Sequence, residues 1–141
     1  MISAERLAAE KTVLGNKLPS NIYLFREMGT ANAHLLVAAR TNRGNIYTMK
    51  IMLKTFPESV PEVYLTKRLK MKDGSDILGY QHPMHTLSCG DNYTQICHYK
   101  DDEWTPMVSL YKVYVKCRLW LEMYEQHLKT GNTIDYYLAN S

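Results

Sequence analysis

The 141-residue sequence has no long apolar run, no block of like charge and only three cysteines. Residues 2–14 are broken by Glu5, Arg6, Glu10 and Lys11, which argues against a membrane span or a cleavable leader there. Seventeen basic and fourteen acidic residues leave a net charge of +3, too mild to mark a nucleic-acid-binding face. The densest basic run, Lys67, Arg68, Lys70 and Lys72, reads as a solvated hairpin. An odd cysteine count without a leader points to a reducing, cytoplasmic setting, where thiols serve as reagents or ligands rather than staples. Internal repeats and low-complexity segments are absent, and no cofactor is implied.

What is present suits a single domain spanning 1–141. The chain is 45% hydrophobic and carries eleven tyrosines, enough for a core. Ser3 as N-cap and Glu5 in the first turn predict a helix over 4–14, stopped by Gly15-Asn16. Strands are predicted over 21–27, 34–40 and 46–54. The last has a period of two, with Tyr47, Met49, Ile51 and Leu53 on one face and Thr48, Lys50 and Lys54 on the other. Residues 63–67 read as a short, proline-flanked fourth strand, expected at a sheet edge. Asp73-Gly74-Ser75 is a turn that would tip a small hairpin. After Pro106 the period becomes 3.6: Leu110, Val113, Cys117, Trp120, Tyr124 and Leu128 share a face, between a Ser109 cap and a Gly131 stop. Residues 133–141 form a tail with room for one more turn. The fold class is α+β, an antiparallel meander covered by helices.

Chemistry concentrates in residues 82–106, HPMHTLSCGDNYTQICHYKDDEWTP. Three readings of this stretch stand side by side. In the first, Cys97 is a nucleophile at a strand end, its thiolate favoured by nearby histidines. In the second, His82, His85, Cys89 and Cys97 supply four ligands for tetrahedral zinc. In the third, Cys89 and Cys97 are half-buried small hydrophobes, and His82 fixes a turn. Cys117, on the helical stripe, reads as core, and Trp104 reads as a packed aromatic holding the loop. A cysteine hydrolase is a weaker option, because no separate histidine-acid pair is evident.

The order of features resembles that of the ubiquitin-conjugating enzymes over most of the chain. A helix is followed by a meander (21–67), a proline-marked stretch (Phe56-Pro57, Pro61), His82-Pro83, then Cys97 in QICHY, Trp104-Thr105-Pro106 and a long helix opening at Ser109-Leu110. The resemblance implies a ubiquitin-conjugating-enzyme-like fold with a four-stranded meander, an active-site loop, a long central helix and truncated C-terminal helices. It implies that Cys97 carries a protein C-terminus as a thioester and passes it to an amine. Met84 stands where the family has an asparagine that supports the oxyanion. His85 and His98 are the candidates to replace it, with Asn92 a third. Asp102 or Asp101 would orient the incoming amine. Trimmed variants of this kind resemble bacterial enzymes of cyclic-oligonucleotide anti-phage systems. The implied partners are a ubiquitin-like protein or a partner's C-terminal tail, such as that of a cGAS-like nucleotidyltransferase, and an activating enzyme. Membrane and nucleic acid are not implied. Tyr111, Tyr114, Tyr136 and Tyr137 permit a protein interface such as a homodimer. A noncovalent binding module on the same fold is the alternative to an enzyme.

Overall fold

The structure, a computed structural model, describes residues 1–77, 82–87 and 93–139. Helix α1 spans Ala4–Lys17, and the Ser3 hydroxyl accepts the Arg6 N–H at 3.1 Å, as its sequence predicts. The helix runs through Gly15-Asn16 instead of stopping there. One interior glycine costs only about 1 kcal/mol relative to alanine. The extra turn keeps Leu14 fully buried, and the Leu18 N–H closes it on the Leu14 carbonyl.

Strands β1 (Tyr23–Arg26), β2 (His34–Arg40), β3 (Ile46–Met52) and β4 (Val63–Leu65) form the meander. The sheet is larger than four strands. Two-residue strands β5 (Thr86–Leu87) and β6 (Gln95–Ile96) extend it to six, in the order β1-β2-β3-β4-β6-β5. Strand β4 is therefore interior, not at the edge. Its prolines flank the strand rather than lie within it, so the Leu65 N–H is free to reach the Thr94 carbonyl at 2.8 Å. Residues Phe25, Leu35, Ile51, Val63, Ile96 and Thr86 line up across all six strands. That row reaches from the meander to the residue before Cys97. It ties the site to the most buried part of the sheet.

Helix α2 spans Leu110–Thr130, capped by Ser109 and ended by Gly131 at φ 84°. Its predicted stripe is buried from Leu110 to Tyr124 and lies in one core with the sheet residues. Leu128 departs from that stripe and is 38% exposed. Its place is taken by His127, which accepts the Lys72 N–H at 3.0 Å and meets the Asn132 carbonyl at 2.9 Å. The predicted hairpin is present, with Lys70 bridging Asp76 around the Asp73-Gly74-Ser75 tip. Within the basic run, Arg68 and Lys70 pair with Asp76, and Lys67 lies over the Tyr47 ring. A short helix, α3 (Ile134–Ala139), follows with Ile134 fully buried.

Helix α1 fixes where α2 begins. Glu10 is buried, pairs with Arg6 at 2.8 Å, and accepts the first α2 amide, Leu110 N–H, at 2.8 Å. Arg6 also donates to the Pro106 and Val108 carbonyls. An anion at a helix N-terminus satisfies an orphan donor and matches the helix dipole. The loop that ends at Pro106 is thereby anchored from outside its own sequence.

Candidate active site

His82–Met84 forms a single 3-10 turn. Met84 points into the core at 1% exposure, and its carbonyl accepts the Trp120 indole N–H at 3.0 Å. Whatever an asparagine would do at that position, this side chain is directed inward. The next residue, His85, sits at φ 51°, the left-handed region that costs a non-glycine residue on the order of 1 kcal/mol. This conformation turns the chain from the 3-10 turn into β5.

His85 and Cys97 are brought together by the β5–β6 ladder. The register Thr86 to Ile96 continues one step outward, where the Cys97 N–H donates to the His85 carbonyl at 2.8 Å. The His85 imidazole Nε2 lies 3.1 Å from a carboxylate oxygen of Asp135 on α3. The His82 ring lies 5.7 Å from that of His85. A histidine-acid pair is thus present beside the cysteine, contrary to the sequence reading. Asp135 lies in the tail, and no local pattern around it signals a role.

Cys97 is half-buried and lines two hollows. One is a cleft of about 220 Å³ walled by His85, Lys116, Leu119, Met123, Ile134 and Leu138. The other is a groove of about 650 Å³ running past Pro61, Leu87, Gln95, Asp101 and Asp102. Burial raises the Cys97 thiol above its ordinary value, and the Asp101 carboxylate raises it further. Both influences disfavour the thiolate, contrary to the expectation from the sequence. Cys117 is fully buried in the core, where burial also pushes its thiol up, as its place on the helical stripe predicts.

His98 also lines both hollows, but one of its ring nitrogens is already engaged. Its Nε2 lies 2.9 Å from the Pro61 carbonyl, which can only accept, so this nitrogen carries the hydrogen. Burial holds the imidazole below its ordinary value, which keeps it neutral and leaves Nδ1 an acceptor. Nδ1 is buried without a hydrogen-bond partner among the described residues. The expected oxyanion donor is spent on tying residues 97–99 to the β4 approach. Asp102 lies exposed in the 3-10 turn Asp101–Glu103, at the groove. Trp104 donates its indole N–H to the Pro57 carbonyl at 2.9 Å and packs edge-on against Phe56 and Tyr99. It holds the loop, as read from sequence.

For the zinc reading, Cys89 lies outside the described residues, as does Asn92. Among the described residues no three histidine, cysteine or acidic side chains converge as a metal set. No helix among them is long and apolar enough to cross a membrane. No protein-family model, no curated protein and no solved structure matches this chain.

Proposed function

We propose that this chain is an acyl-carrying transferase on a ubiquitin-conjugating-enzyme-like fold. Cys97 takes the C-terminal acyl group of a ubiquitin-like protein, or of a partner's tail, from the thioester of an activating enzyme. The Cys97 sulfur bonds to the carbonyl carbon, the bond to the donor sulfur breaks, and the thiol proton leaves with that sulfur. An amine then displaces Cys97 to give an amide. A thioester is reactive toward amines yet survives in water, so the group can be handed on. A nucleotidyltransferase tail in a cyclic-oligonucleotide defence system is the carried partner that the sequence resemblance suggests.

One observation carries this reading. Cys97 lies where an open groove meets a mostly apolar cleft lined by His85 and His98. The groove supports entry of the acyl group, and the cleft supports its chemistry. His85 takes the proton-handling part, because it stands abreast of Cys97 and meets Asp135, whereas the remaining His98 nitrogen is buried. Asp102 is exposed at the groove and suited to attract a cationic acceptor. The test is incubation with candidate activating and carried proteins. A covalent adduct that reductant removes, and that is absent with Cys97→Ala, supports the reading. A Cys97→Ala protein that keeps full conjugating activity overturns it.

A second reading, a noncovalent binding module, draws on the raised thiol and on the inward Met84. It predicts partner binding in the groove that Cys97→Ala leaves unchanged, with no reductant-sensitive adduct under any condition.

A further inference from the structure

We propose that Asp135, on the C-terminal helix α3, positions His85 for proton transfer at Cys97, so that α3 is a working part of the site. The proposal rests on the acyl-transfer reading above and names how that site handles its proton.

Three contacts carry it. Asp135 Oδ1 lies 3.1 Å from His85 Nε2. His85 is joined to Cys97 by the backbone bond of 2.8 Å, so the two residues sit abreast. Both line the same cleft, whose walls include Ile134 and Leu138 from the same helix as Asp135. The carboxylate can only accept, so Nε2 carries the hydrogen, and in the neutral imidazole Nδ1 keeps a lone pair. The acid fixes the tautomer, and the base is the other nitrogen.

The step balances as follows. The acceptor amine nitrogen bonds to the thioester carbonyl carbon, and the carbon–sulfur bond to Cys97 breaks. The amine proton passes to Nδ1 of His85 and from there to the departing Cys97 sulfur. The thiol is restored and no further reactant is needed. Nothing in this sequence of events uses Met84 or His98. Helix α3 is anchored for the task by Ile134, which is fully buried, while Asp135 itself is exposed. Substituting Asp135 therefore removes the carboxylate without opening the core.

The test uses the full chain and p-nitrophenyl acetate as acyl donor. Intact-mass and peptide analysis locate the acetyl group on Cys97, with Cys97→Ala as the blank. Loss of the acetyl group to added glycine ethyl ester gives the transfer rate. His85→Gln is expected to slow transfer about a hundredfold, the usual share of a general base. Asp135→Asn is expected to slow it at least about tenfold, and Asp135→Glu to restore most of the rate. In the His85→Gln background, Asp135→Asn should cost nothing further, because a residue acting through His85 has nothing left to act on. A wild-type transfer rate in Asp135→Asn overturns the inference. So does an equal loss in both backgrounds, which would mark a purely structural role. Either result leaves the acyl-transfer reading standing as long as Cys97 is acetylated and discharged. Failure of Cys97 to accept acetyl at all in the wild type sinks both. Thermal melts of each variant show that the compared proteins are folded.

Discussion

Replacing Met84 with asparagine would give this stretch the His-Pro-Asn motif of the enzymes that its sequence resembles. The structure predicts that it would damage the protein and repair nothing. Met84 is 1% exposed and belongs to the main core. Truncating a buried methionine costs about 2–5 kcal/mol, and an asparagine refills only part of the space. Its amide, buried without a prepared partner, adds about 1–3 kcal/mol. A net loss of about 3–5 kcal/mol is expected, a large share of the 5–15 kcal/mol that typically holds a domain together. In urea denaturation, with a slope of about 2 kcal/mol per molar, the midpoint should fall by roughly 2 M. Met84→Leu, nearly conserving volume, should cost less than about 1.5 kcal/mol. Transfer from Cys97 should not rise in either variant. A Met84→Asn protein as stable as the wild type and faster in transfer would refute the inward placement of this side chain.

Two further predictions test the electrostatics. Glu125 is buried and accepts from Asn45 and Tyr47 at 2.7 and 2.8 Å. Burial opposes its ionisation, but the surrounding donors, Thr41, Asn45 and Tyr47, prevail and hold the carboxyl below its ordinary 4.5. A lowered folded pKa gives stability that is present above pH 4.5 and lost as the pH falls through the folded value. Glu125→Gln should therefore cost about 1–3 kcal/mol at neutral pH and flatten the pH dependence of stability below 4.5, measured by urea midpoints. At Cys97, Asp101→Asn removes the smaller of the two causes that raise the thiol. Iodoacetamide alkylation at neutral pH should speed up, by less than about tenfold because burial remains. An unchanged or slower rate would contradict the placement of Asp101 beside the sulfur.

The sequence by itself determined the elements whose patterns are long and local. Helix α2 has both of its predicted caps, because a Ser109 acceptor and a left-handed Gly131 act within one turn of the residues they serve. Strand β3 shows its alternation because seven residues are enough to display a period of two. Only the tertiary structure decided the rest. Strands β5 and β6 have two residues each, too few for any period, and they exist because β4 offers β6 a partner and β6 in turn offers one to β5. Glu10 reads as a solvated charge until α2 starts against it, a hundred positions away. The same distance problem hides the site. Cys97, His85 and the Trp104 loop stand out by residue type, but the state of the thiol depends on burial and on Asp101, which chemistry alone does not reveal. His98 reads as a donor in the sequence, but Pro61 holds its N–H, and Asp135 reads as tail, but α3 brings it to His85. Residue type is written locally, whereas pKa and hydrogen-bond partner are set by neighbours that folding brings from elsewhere in the chain.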